Sequence, residues 1–269
     1  MKNGYRIIDA HCHIYPDKIA ARATAGTGRF YNYEPFGDGT TAGLRRLGTA
    51  AGNDHFIVQS VATNAHQVRS INEFIADEVA RSNGQFTGLG TLYPGSPDLA
   101  GDYAHLKSLG LCGVKLHPDI QQFKIDDYRC LKIYELCERD GMPILMHTGD
   151  SRYDFSNPNR LLPIMQIYTG RTVIAAHLGG WSVWDEADRM LRDLPNLYVD
   201  TSSSIPMIPK AQAVAMIHHY GIDHVLYGTD YPMWSPQREI EAFFALGLTE
   251  AENRAILSEN AARLFDISC

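Results

Sequence analysis

The chain has 269 residues, 45% hydrophobic and 20% charged, with a formal net charge of −7 at pH 7. Material for a core is ample, and an acidic balance without a Lys/Arg-rich run argues against a nucleic-acid partner. No run of eighteen apolar residues argues for a membrane, the first residues lead into a strand rather than a signal stretch, and five cysteines without a CxxC pair fit reduced thiols and a cytoplasmic location.

The first predicted strand, Tyr5–Ile14, contains "IDAHCHI". Alternation along a strand puts Asp9, His11 and His13 on one side and Ile8, Ala10, Cys12 and Ile14 on the other. Two imidazoles at a buried strand end are costly unless they bind something, and a divalent metal is the usual partner. The bland alternative is a polar strand end that happens to carry two histidines. A long segment, Tyr15 to Gly39, follows and holds the aromatic run Phe30, Tyr31, Tyr33 and Phe36. It reads as a lid or binding loop, or equally as a packing arm or a contact in a homodimer.

From there short apolar runs alternate with helical periodicity. The strands are Phe56–Ala62, Phe86–Tyr93, Cys112–Leu116, Pro143–His147, Thr172–His177, Leu197–Asp200 and His224–Gly228. The intervening helices are His66–Arg81, Asp98–Leu109, Asp127–Asp140, Asn159–Tyr168, Asp185–Leu194, Pro209–Tyr220 and Pro236–Leu246, with two short helices in Thr249–Phe265. Pro209 suits a first helical turn, and Gly110, Gly141 and Gly221 follow last turns. Eight strand–helix units with continuously apolar strands predict an α/β fold with a parallel sheet buried on both faces. With no linker or composition shift, residues 1–269 read as one (β/α)8 TIM barrel. The competing open sheet would want a glycine-rich turn after the first strand, where this chain has His-Cys-His.

In such a barrel chemistry sits at the C-terminal strand ends. There the chain places His11 and His13, Lys115 and His117 ("GVKLHP"), His147 ("MHTGD"), His177 ("AAHLGGW") and Asp230 ("YGTDYP"). His117, His147 and His177 recur every 30 residues, one unit each. The other six histidines, His55, His66, His105, His218, His219 and His224, read as surface, helix or strand-start residues, with His66 the least safe. Zinc and similar ions take imidazole nitrogen and carboxylate oxygen at about 2.0–2.2 Å and keep a position open for water in catalytic sites. Water on such an ion loses its proton near pH 7. Asp230 is placed to take or return that proton, and a nearby histidine to polarise substrate. Gly179 and Gly180 let the backbone turn closely under the site. Trp181, Trp184 and Trp234 follow strand ends and are expected in the pocket wall, and Arg152 and Tyr153 are candidates for a substrate carboxylate.

These motifs, with "LYVDTSS" at the seventh strand, resemble the amidohydrolase superfamily over nearly the whole chain. More narrowly they resemble the amidohydrolase-2 branch, which includes aminocarboxymuconate-semialdehyde decarboxylase. The resemblance implies a metal, zinc being the expected ion, held by His11, His13, His147 and Asp230, with His177 as the acid–base or electrophilic residue. One ion is favoured. The two-ion alternative has Lys115 carboxylated as a bridge and His147 and His177 on the second ion; with one ion, Lys115 or His117 would contact substrate, and an inward lysine paired with Asp9 is the structural alternative. The leading activity is hydrolysis of a small amide, lactone or ester. The alternatives are nonoxidative decarboxylation of an unsaturated or aromatic acid, a TatD-like nuclease, which the acidic charge and the lack of a fourth-strand glutamate disfavour, and a non-catalytic binding protein, which the full ligand set disfavours.

Overall fold

The computed structural model describes residues 2–268, so Met1 and Cys269, the latter one of the five expected thiols, lie outside the described residues. The other four cysteines are unpaired thiols. Strands β1 (Ile8–His13), β2 (His55–Gln59), β3 (Phe86–Gly88), β4 (Gly90–Thr91), β5 (Val114–Leu116), β6 (Ile144–Met146), β7 (Val173–Ala175), β8 (Leu197–Asp200) and β9 (Val225–Leu226) follow one another in parallel register. The predicted strand Phe86–Tyr93 is split into β3 and β4, two halves of one stave. At the join Leu89 N–H donates to Val58 O and Gly90 N–H to Gly113 O, both at 2.9 Å, which carries the chain from one neighbour to the next. The ring closes where Ala10 N–H donates to Tyr227 O (2.8 Å) and His13 N–H to Tyr231 O (2.7 Å). The fold is a (β/α)8 barrel.

Two apolar layers hold it. Inward side chains Ile8, Ala10, Ile57, Leu89, Leu145, Ile174, Ala176 and Leu226 pack with Ala261, Ala262 and Phe265 of the terminal helix Asn260–Phe265. Alternate residues, among them Val58, Val114, Leu116, Ile144, Met146 and Val199, face the surrounding helices. Phe265 is 7% exposed and anchors the last helix to the strand starts. Phe265→Ala should therefore lower unfolding free energy by about 3 kcal/mol, read as a reduced midpoint in urea at unchanged slope.

The first strand departs from simple alternation. Asp9 pairs with Phe56 and Cys12 with Val58, so three steps of β1 oppose two of β2. This bulge flips the phase. Ile8 and Ala10 pack inside the barrel, whereas Cys12 and Ile14 join the outer layer, and His11 and His13 turn inward beyond Ala10. Asp9 does not share their cavity. Its carboxylate accepts from Thr229 N, Thr229 Oγ1 and Asn53 Nδ2.

The segment after β1 is not a loop. It contains helix α1 (Asp17–Tyr31), and a further unpredicted helix, α2 (Thr41–Ala51), precedes β2. Their buried positions explain why periodicity misses them: Ala20, Thr24 and Gly28 on α1, and Gly43, Leu44, Gly48 and Ala51 on α2. Apart from Leu44 these are small residues that permit close approach. A Cβ at Gly28 would lie 2.6 Å from Tyr33 O, and one at Gly48 2.3 Å from the Phe56 ring. The remaining main helices run near the predicted spans, from Val68–Ala80 to Pro236–Phe244. Among the described residues no helix is long and apolar enough to cross a membrane.

Candidate metal centre

The bulge in β1 aims two imidazoles at the barrel axis, and neighbouring strand ends complete their setting. His11 Nδ1 lies 2.9 Å from Asp200 Oδ2 at the end of β8. Asp200 is fully buried and held by the peptide N–H groups of His177 and Ser202 and by the Ser202 hydroxyl. A carboxylate there places the proton on Nδ1 and leaves the lone pair of His11 Nε2 facing the cavity. Burial pushes His11 and His13 well below the usual imidazole range, so both are neutral ligands at pH 7.

Three donor atoms converge there: His11 Nε2 and His13 Nε2 are 3.3 Å apart, and Asp230 Oδ1 is 3.5 Å from the first and 3.7 Å from the second. Ligands at about 2.1 Å from a tetrahedral ion stand about 3.4 Å apart. The set therefore fits a divalent ion on geometry as well as chemistry. Asp230 takes a left-handed φ of 57° and Ser203 Oγ donates to its Oδ2 at 2.7 Å, which leaves Oδ1 for the centre. Asp200→Asn keeps the shape and removes the charge behind His11. Zinc affinity measured by chelator competition should fall 10–100-fold, while unchanged affinity would deny Asp200 its orienting role.

Lys115, His117, His147 and His177 surround these donors. Lys115 Nζ is 3.0 Å from His11 Nε2, and its charge is offset by Asp230 and Asp200 rather than by Asp9, while burial lowers its pKa. His147 does not join the three-donor group in this structure: its Nδ1 is 2.9 Å from His177 Nε2. His177 sits at φ 62°, stacks on His11 with ring centroids 5.2 Å apart, and has Nδ1 3.0 Å from Ser202 Oγ. Burial lowers it to about 3, so it is neutral, with its N–H on Nδ1 facing Ser202 O at 3.1 Å. Gly149, at φ 84°, allows this crowding: a Cβ there would lie 2.5 Å from the backbone at Gly180 and Trp181.

A cavity of about 860 Å³ opens from this centre, lined by His11, His13, Lys115, His117, His147, His177 and Asp230 at its floor and by Phe30, Tyr31, Phe74, Trp181, Met233 and Trp234 on its walls. Trp181 and Trp234 thus stand where the sequence places them. Trp184 does not line it, donating instead to His177 O at 3.1 Å. Arg152 and Tyr153 are also outside the lining, the arginine being bound to Asp150. The six histidines set aside stay clear of the cavity; His218, for instance, meets Glu252 and His219 meets Asp188.

The amidohydrolase family model, Amidohydro_2, matches residues 8–267 and so takes in every one of these strand ends. The chain belongs to the amidohydrolase family. Among solved structures, this amidohydrolase is similar to an uncharacterized TIM-barrel protein from Bordetella bronchiseptica, at 22% identity and a TM-score of 0.81 over 97% of this chain and 98% of that one. It is also similar to 5-carboxyvanillate decarboxylase LigW from Sphingomonas paucimobilis, at 15% identity and 0.79 over 98% and 100%. An amidohydrolase from Burkholderia multivorans with bound zinc matches at 16% identity and 0.75, again over 98% and 100%. These likenesses show the fold.

Two groups of the amidohydrolase site escape a reading of strand-end histidines. Asp200 was visible as the last residue of a predicted strand but had no histidine spacing to mark it. Tyr31, whose hydroxyl is 2.8 Å from His117 Nε2 and 3.1 Å from His147 Nε2, comes from α1. Its signal was the aromatic run in the segment after β1.

Proposed function

We propose that the protein is a metal-dependent hydrolase acting on an amide, lactone or ester of a small molecule. The observation that carries this reading is the Asp230 carboxylate, which belongs to the three-donor group and also lines the cavity. His11, His13 and Asp230 would hold the ion, with His147 as the further ligand that the family resemblance implies. A divalent ion there would supply Lewis acidity toward a carbonyl oxygen and lower the pKa of water to near neutrality. Zinc is the ion proposed, in line with the zinc in the Burkholderia neighbour.

The chain's own residues do the rest. Asp230 holds the proton of the attacking water, and Ser203 keeps its second oxygen engaged. His177, neutral and hydrogen-bonded through His147 and Ser202, faces the same space and relays to the leaving group the proton that Asp230 takes from the water. The aromatic walls exclude bulk water and strengthen these interactions.

A second reading is favoured by one feature. The Lys115 ammonium at the floor, between aromatic walls, makes a slot suited to a flat carboxylate. That arrangement serves nonoxidative decarboxylation of an unsaturated or aromatic acid, with His177 passing a proton taken up from water to the carbon that loses carbon dioxide. One experiment separates them. Zinc-loaded protein is offered a lactone, ester and amide panel with acid release followed by pH indicator, and an aromatic-acid panel including 5-carboxyvanillate with carbon dioxide trapped. Acid release without carbon dioxide supports hydrolysis; carbon dioxide alone replaces it with decarboxylation.

A further inference from the structure

The last turn of α1 carries Tyr31 into the cavity wall, over His117 and His147 of the floor, yet the helix's buried stripe of Ala20, Thr24 and Gly28 ends before it. Arg152 supplies the missing hold. Its Nη1 donates to Phe30 O at 2.6 Å, while Nε and Nη2 donate to the two carboxylate oxygens of Asp150 at 2.9 and 2.6 Å. Asp150 has no solvent exposure, so the bidentate fork ties the partly exposed Arg152 to a buried carboxylate. The guanidinium lies 5.1 Å from the ring centres of both Phe30 and Tyr31, 5.2 Å from Tyr153 and 5.7 Å from Trp181. The Tyr31 ring meets Trp181 edge-on at 5.0 Å.

The hydroxyl at the end of this assembly has a free function. Ile120 N–H donates to His117 Nδ1 at 3.4 Å, which puts the imidazole proton on Nε2, toward Tyr31. His177 Nδ1–H faces Ser202 O at 3.1 Å, so His147 donates from Nδ1 to His177 Nε2. The lone pair of His147 Nε2, the further metal ligand of the reading above, is then committed to the ion rather than to Tyr31 once an ion is bound. In the metal-loaded protein this network assigns Tyr31 oxygen as an acceptor from His117 and leaves its O–H directed to whatever occupies the cavity.

We propose that Tyr31 is a substrate-contacting residue, donating a hydrogen bond to a carbonyl or carboxylate oxygen of the bound molecule, and that Arg152 is the positioning residue that holds it there. The proposal rests on the reading above for the kind of oxygen bound and for the ion on His147. Lysine cannot replace Arg152, because it offers neither the planar fork nor the stacking face.

The test uses the full chain loaded with zinc, benzoate as probe, and 3-fluorotyrosine at position 31 read by fluorine NMR. The wild type should show one resonance displaced from that of unfolded protein, and benzoate should move it. Tyr31→Phe should weaken benzoate binding about 10-fold, the scale of a hydrogen bond to a charged group. Arg152→Met should return the resonance toward the solvent-exposed position and weaken benzoate equally, and Arg152→Lys should not rescue it. In the Tyr31→Phe background, Arg152→Met should add nothing further, the signature of action through Tyr31. Additive losses, a resonance unmoved by Arg152→Met, or no benzoate binding to the wild type would overturn the proposal. Zinc content is measured on the same samples. Failure to load zinc would count against the hydrolase reading, while the resonance in metal-free protein still reports whether Arg152 places Tyr31.

Discussion

Asp230→Ala is expected to leave a folded barrel that no longer retains zinc. Asp230 is the sole carboxylate in the converging group, and His11 and His13 are neutral. Removing it takes away one of three donors spaced 3.3–3.7 Å apart and the charge that draws a cation to them. Loss of an outer partner alone costs 10–100-fold in metal affinity, so loss of this ligand should cost more than about 100-fold. His11→Ala and His13→Ala should behave alike. The fold should survive, because the two apolar layers that hold the barrel do not include the Asp230 carboxylate. Circular dichroism and metal analysis on one preparation check both halves. A variant that keeps its zinc would mean that the three-donor group is not the site.

His177→Ala should give the opposite pattern: metal retained and turnover reduced by about 10²–10⁴-fold, the range for a missing general acid or base. His177 lies against His11 and His147 but is not one of the donors around Asp230. Its Nε2 and Nδ1 are tied to His147 and to Ser202, an orientation that serves proton movement. Turnover is measured on whichever panel member reacts, with zinc content on the same protein. If His177→Ala strips a stoichiometric metal, His177 is a ligand, and a two-ion scheme with a carboxylated Lys115 takes its place.

Much of this was legible in the residues. Strand apolarity, helix periodicity and the glycine stops gave eight units in the right order, because both faces of each strand are buried and the code there is simple. His11, His13, His117, His147, His177, Lys115 and Asp230 come together on one cavity floor as their strand-end positions required. What escaped has physical reasons. The bulge after Asp9 depends on pairing with β2 and leaves no mark in the alternation of β1 itself. Helices α1 and α2, Leu44 apart, bury alanine, threonine and glycine, which carry little hydrophobic signal. Arg152 looked free to meet a substrate because its partner Asp150, two residues away, is a short-range choice that only the folded turn reveals.

Metal content per chain, by mass spectrometry on protein purified without chelator and then equilibrated with zinc, tests the central claim most directly. One equivalent is the predicted result, falling below a tenth of an equivalent in Asp230→Ala. No metal in the wild type, before or after adding zinc, would contradict it, and His11 and His13 would then stand at the barrel mouth for substrate or for structure.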